Sequence, residues 1–185
     1  MTIPLKGDLI DMNYNEHQRK NFKAIGQQHT IWLMNAKDLK NSADVLLERI
    51  HEVNRRISEH EPVDLIEDTG VFKVYMLLAG LSLENVIKGL IISRNPTIVT
   101  DEEVKFSGSG HKLIELFRLV NISLNNDEIK FLELIEEFIM WAGRYSLPKK
   151  SQYFQNRKSP NIPMIGIPRD SDMFNNLFSR IVEEY

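Results

Sequence analysis

Val71 to Ile92 reads VFKVYMLLAGLSLENVIKGLII, a run apolar on nearly every side of a helix. It is about long enough to span a bilayer. It also carries Lys73, Glu84 and Lys88 and lacks aromatic or basic flanks, and a charge near the middle of a span costs a few kcal/mol. The expectation is therefore a helix enclosed by other helices, with no membrane involved. Gly80 and Gly89 interrupt the run. Each costs about 1 kcal/mol against alanine in a helix, which close approach of a neighbour would offset. Asp68–Thr69–Gly70 offers a cap at the start, and Asn95–Pro96 ends the element.

The other segments can supply that enclosure. Trp32, Ala36, Leu39, Ala43, Leu46, Ile50, Val53 and Ile57 recur at spacings of three and four, as one long helix or two joined near Asn41–Ser42. The opposite face holds Lys37, Lys40, Glu48, Glu52 and Arg56, and Pro62 stops the pattern. Residues 95–110 read as a loop in which Thr100 to Glu103 fits a capping box. A helix HKLIELFRLVNI follows, with Ser109 as its expected N-cap and Leu113, Leu116, Phe117 and Val120 as its buried stripe. After Asn125–Asn126 a further helix carries Ile129, Leu132, Ile135, Phe138, Ile139 and Ala142 on one face. Its acids Asp127 and Glu128 sit in the first turn and Arg144 in the last, as the helix dipole favours. Pro148, Pro160, Pro163, Gly166 and Pro168 then break the chain, and a last short helix spans about Ser171 to Glu184.

No helix–strand alternation implies a parallel sheet. The expected fold class is all-α, a helical bundle around one central apolar helix, with an irregular C-terminal extension. The expected organisation is an N-terminal arm over 1–15, the bundle over 16–147, and an extension with a C-terminal helix packed on the bundle over 148–185. A chain of 185 residues fits one such domain and can bury a core without staples. The absence of cysteine excludes disulfides, thiolate nucleophiles and cysteine–zinc sites, and a cytoplasmic location is expected. A net charge of −3 gives no bulk attraction for nucleic acid, so such a partner must meet a local patch.

Several residue sets could form that patch. Glu84 and Lys88 lie one turn apart on the central helix, about 40° apart around its axis, as the lining of a cleft or as a structural ion pair. His111 follows Ser-Gly-Ser-Gly at an expected helix start, where N–H groups can hold an anion and the dipole would leave the imidazole neutral. The alternative is a capping loop. Arg55 and His60, with four residues between them, have types that can bind and cleave an RNA phosphodiester, although the spacing is common in any charged helix. Glu48-x-x-His51 is a single step where a di-iron bundle needs two, so no metal and no cofactor are expected. Between Glu137 and Asp170 there is no acid. Arg144, Lys149, Lys150, Arg157, Lys158 and Arg169 lie there among Tyr145, Tyr153 and Phe154, a composition suited to phosphates and unpaired bases or to a solvated loop.

YMLLAGLSLENVIKGLIISRNP, then SGHKLIELF, then ISLNNDEIKFLELIEEFIMWAGRYSLP resembles the HEPN superfamily (higher-eukaryote and prokaryote nucleotide-binding domain) over roughly residues 30–150. Members often carry a Glu and a Lys one turn apart on the central helix, here Glu84 and Lys88. A Gly-His-x-Leu opens the next helix, here Gly110 to Leu113, and an Arg-Tyr falls near the end of the last core helix, here Arg144–Tyr145. The resemblance implies a bundle, often homodimeric, that binds RNA or a nucleotide, in prokaryotic defence or toxin–antitoxin systems. A cognate antitoxin or nucleotidyltransferase would be its partner. It makes Glu84, Lys88, His111, Arg144 and Tyr145 the expected cleft lining, with Lys88 and Arg144 on phosphate, and Lys149, Lys150, Arg157 and Lys158 as nucleic-acid contacts. Some relatives are metal-independent ribonucleases with an Arg, four to six residues, then His. Here Arg55–His60 has that spacing, but it precedes the central helix and Arg56 follows Arg55. A non-catalytic homodimeric interaction module is the alternative, and a ribonuclease the third reading.

Overall fold

The computed structural model describes residues 6–63, 65–106, 110–145, 151 and 167–185, with side chains from 15 and, around the gaps, for 70–106 and 170–185. Six α-helices stand among them: α1 (Lys6–Gly26), α2 (His29–Ser58), α3 (Leu65–Arg94), α4 (Leu113–Leu119), α5 (Asn126–Glu137) and α6 (Ile167–Glu183). The only β-pairing among the described residues is an isolated antiparallel bridge, Val99 with Val104. The all-α class and the enclosed central helix are as expected. Helix α3 packs against α2, α4, α5 and α6. Its stretch Gly70–Arg94 is long and apolar enough to cross a membrane, and most of that stretch is buried inside the protein.

Helices α2 and α3 form the long hairpin on which the rest assembles, each 30 residues, or about 45 Å, long. Helix α2 is one continuous helix. It buries Ala36, Ala43, Ile50 and Val53. The two alanines let the backbones approach, and the Ser82 hydroxyl of α3 donates to Ala36 O at 2.8 Å. Leu116 and Phe117 of α4, Leu132 and Ile135 of α5, and Phe174, Leu177 and Ile181 of α6 close the core over Tyr75, Met76, Leu83, Ile87 and Leu90.

Both glycines of α3 sit where a neighbour comes close. A Cβ on Gly80 would lie 2.7 Å from Ile135 Cγ2 and from Ile139 Cγ1. One on Gly89 would lie 2.8 Å from Trp32 Cβ and strike the Tyr185 hydroxyl, which donates to Val86 O at 2.7 Å. Tyr185, just beyond α6, is thus seated in a notch on α3.

Helix ends account for several differences from the sequence reading. The expected arm over 1–15 is helical from Lys6 onward. Its sequence is largely polar and lacks a continuous apolar stripe at helical spacing, so periodicity gave no notice of it. The central helix starts at Leu65 and runs through Asp68–Thr69–Gly70, so these residues are not its cap. Helix α4 starts at Leu113 instead of His111 and stops at Leu119. Asn121 then takes φ 57°, and Ile122 N–H donates to Phe117 O while Asn121 N–H donates to Arg118 O, a Schellman ending. Thr100 shapes a tight turn, accepting from Glu102 and Glu103 N–H, and caps no helix. Asn125 and Glu128 form a reciprocal capping box on α5. One turn of π-helix, Phe138–Ala142, follows α5. The expected cap Ser109 and the breakers Pro148, Pro160 and Pro163 lie outside the described residues.

Gly70 is also within α3, but a Cβ there would meet nothing within 4 Å. Alanine should therefore act in opposite directions at two glycines of one helix. Gly80→Ala is expected to cost about 1–3 kcal/mol by overpacking, and Gly70→Ala to add up to about 1 kcal/mol. Urea denaturation of both variants checks this.

Burial raises the phenols of Tyr75 and Tyr185, with Asp44, Asp170 and Asp172 adding to the effect at Tyr75. A raised value in the folded state favours the protonated form, so this stabilisation holds below about pH 10 and is lost as pH climbs above it. An alkaline absorbance titration should show two tyrosines that ionise only with loss of helical circular dichroism. Tyr75→Phe and Tyr185→Phe should each remove one.

Candidate functional site

Helix α3 carries two buried charges on one face, and the fold brings a third polar group to them from 27 residues away. Lys88 Nζ donates to Glu84 Oε1 at 2.6 Å. The His111 Nδ1 lies 3.0 Å from Glu84 Oε2 and 3.1 Å from Oε1. A carboxylate can only accept, so Nδ1 is assigned the hydrogen and donates to it. Glu84 and Lys88 are buried, whereas the His111 side chain is 48% exposed. The arrangement is a surface imidazole braced from beneath by a buried ion pair.

Local structure makes this geometry possible. The Phe106 ring covers the ammonium, with Lys88 Nζ 4.9 Å from its centroid. Gly110 takes φ +71°, a left-handed conformation that strains residues with a Cβ, and turns the chain into His111. A Cβ there would lie 3.7 Å from Lys88 Nζ, so the turn passes directly over the ammonium. Beyond His111, the buried Glu136 of α5 accepts from Ile114 N–H at 3.2 Å and pairs with Lys112 at 3.4 Å. One donor at the start of α4 is therefore satisfied by a carboxylate. This removes the premise that His111 sits on a helix N-terminus open to an anion, because α4 begins two residues later and its first turn already holds a negative group.

Of the five expected lining residues, Glu84, Lys88 and His111 come together. Arg144 and Tyr145 are placed otherwise. The Arg144 guanidinium donates to Ile139 O at 2.5 Å and Met140 O at 3.1 Å and lies over the Tyr145 ring, closing the end of its own π-turn. Gly143 packs on Leu77, and Glu84 is about 10 Å further along α3. Lys88, expected on phosphate, is turned inward onto Glu84. Lys149, Lys150, Arg157 and Lys158 lie outside the described residues, as do Tyr153 and Phe154.

The Arg55–His60 pair has a structural explanation. Arg55 pairs with Glu52 at 2.9 Å and with Glu59. His60 takes φ 60° at the end of α2, where Glu61 N–H donates to Arg56 O and His60 N–H to Ile57 O. His60 thus terminates the helix, and Arg55 is held by carboxylates of its last turns. Glu48 and His51 lie on the exposed face of α2, and no group of three or more metal-ligand side chains occurs among the described residues.

Phe106, Gly110 as a turn and Glu136 are the site residues that sequence reasoning missed. Only Glu136 left a signal. It falls on the stripe Ile129, Leu132, Ile139 at spacings of three and four, where a carboxylate must find a partner. Compared with family models, with characterised proteins and with solved structures, the chain matches none.

The ion pair is largely buried, so removing one partner leaves an uncompensated charge. Lys88→Met is expected to cost about 3–5 kcal/mol, whereas the double change Glu84→Gln with Lys88→Met should be near neutral, within about 1 kcal/mol. Thermal and urea denaturation of the two variants would show whether the charges or the volumes matter.

Proposed function

We propose that the chain is a HEPN-like helical protein of the cytoplasm that binds RNA or a nucleotide at the Glu84–Lys88–His111 corner, as a component of a prokaryotic defence or toxin–antitoxin type system. One observation carries the reading. The two motifs of the resemblance, the Glu–Lys turn and the Gly-His that follows, meet within hydrogen-bond distance and leave a half-exposed imidazole at the surface. A braced histidine at a surface is suited to hydrogen bonding or proton handling with a bound ligand. The ribonuclease reading loses support because Arg55 is paired with Glu52 and Glu59 while His60 ends α2.

The second reading is the homodimeric interaction module. Side chains 15–25 of α1 are exposed, among them Phe22 and Ile25, so this helix offers a surface that the other described residues do not cover. Salt separates the two readings. Phosphate-directed binding weakens steeply as salt rises, whereas an apolar dimer barely responds.

Fluorescence anisotropy with a labelled single-stranded RNA and a labelled adenosine nucleotide tests the proposal. Binding is expected for at least one, weakening between about 50 and 200 mM salt, and His111→Ala should weaken it about tenfold, or about 1.4 kcal/mol. Binding untouched by His111→Ala would move the site away from this corner, and binding of neither probe would end the ligand reading.

A further inference from the structure

The outer face of α2 is exposed, and one stripe of it stands apart from the rest. Val45, 66% exposed, and Met34, 63% exposed, are the most exposed large apolar side chains among the described residues. They stand 11 residues apart. At 3.6 residues per turn this is about 16.5 Å of rise and about 20° of rotation, so both fall on one line of the helix. Exposed apolar residues scattered singly are ordinary, whereas two aligned on one helix face invite a partner.

The charges beside them follow the same step with their signs exchanged. Met34 is followed by Lys37 and Asp38, three and four residues on, and Val45 by Glu48 and Arg49 at the same distances. A residue three on lies about 60° to one side of the stripe, and a residue four on about 40° to the other. One flank therefore carries Lys37 and Glu48, and the other Asp38 and Arg49. All four are exposed. A two-fold axis between antiparallel helices brings each flank against the same flank of the copy. Lys37 then meets the partner's Glu48, Asp38 meets the partner's Arg49, and one register serves both. By symmetry each pair occurs twice. A parallel arrangement would instead set Glu52, about five turns beyond Met34 on the same stripe, against its own copy. Exposed ion pairs add little affinity but fix orientation and register, and the apolar stripe supplies the attraction.

We propose that the outer face of α2 is the surface on which a second copy of this chain docks, α2 against α2 and antiparallel, with Lys37 on the partner's Glu48 and Asp38 on the partner's Arg49. Both signs of charge at this spacing suit a helix carrying the same pattern. Nucleic acid or an anionic membrane would call for one sign. The assignment deepens the homodimeric reading given above and rests on it. It does not depend on the ligand reading, and it places the contact on α2 instead of α1.

Sedimentation velocity of the full chain and its charge variants tests this. The wild type should dimerise in the micromolar range. Val45→Glu, Lys37→Glu and Glu48→Lys should each weaken the dimer about tenfold or more, because every change acts twice across the axis. The three positions are exposed, and circular dichroism checks that the variants fold. The Lys37→Glu and Glu48→Lys chains should pair with each other when mixed, since opposite charges then meet at every contact of that flank. The double variant Lys37→Glu with Glu48→Lys should regain the wild-type affinity for the same reason. A wild type still monomeric at about 100 μM would overturn the docking surface and the homodimeric reading together. A dimer indifferent to Val45→Glu, or to both charge reversals, would overturn the α2 surface alone and leave the homodimeric reading to α1. A dimer weakened by the reversals but restored by neither the mixture nor the double variant would overturn the antiparallel pairing.

Discussion

Helix α3 is apolar on nearly every side, and the remaining elements are arranged around that constraint. An amphipathic helix needs one neighbour along one stripe, whereas a rod apolar all round needs neighbours on all of them. Helix α2 covers one side along its length, α4 and α5 cover a second, and α6 a third. Contact that close demands small residues where axes approach. Ala36 and Ala43 serve on α2, Gly80 faces Ile135 and Ile139, and Gly89 admits Trp32 and Tyr185. Polar atoms on the rod must be satisfied within this casing. Ser82 donates to Ala36 O and Asn85 to Leu81 O, while the Tyr75 hydroxyl finds no hydrogen-bond partner among the described residues.

Three buried carboxylates each join one element to another. Glu128 accepts from Asn125 N–H at the start of α5 and pairs with Arg180 of α6, whose guanidinium also donates to Ser123 O. Glu136 joins α5 to the start of α4 through Ile114 N–H and Lys112. Glu84 joins α3 to the segment before α4 through His111. The first two use backbone N–H groups or a cation from another helix, as structural ties do. Glu84 is different: its cation comes from its own helix, so its contact with His111 is not needed to balance charge. This makes the corner a better candidate for ligand chemistry than either of the other two carboxylates.

Much of the fold was legible because the signals were local. The spacing of Ala36, Ala43, Ile50 and Val53, the near-continuous apolarity of Val71–Ile92, and the glycines within it each report on one helix and one kind of neighbour. Capping was less legible because residue type alone does not say which turn is in use. Asp68–Thr69–Gly70 has the composition of a cap, yet α3 runs through it, and Thr100 to Glu103 has the capping-box spacing, yet it closes a tight turn. Asn125-x-x-Glu128 has the same spacing and is a true box, and there the buried stripe begins within the next turn, at Phe131 and Leu132.

The site was half legible for the same reason. Glu84 and Lys88 conflict with an otherwise apolar helix, and a local conflict of that kind can be read from sequence. What resolves the conflict is long-range. His111 reaches Glu84 only because Gly110 turns left-handed over Lys88, and no spacing rule predicts that a Gly-His pair will meet a carboxylate 27 residues earlier. Arg144 fails to join them for an equally physical reason. The π-turn at Phe138–Ala142 leaves carbonyls of its own to satisfy, and the guanidinium is within reach of those of Ile139 and Met140. An arginine near a helix end is drawn first to that end, so its presence in a sequence motif fixes its position along the chain and leaves open which group it serves.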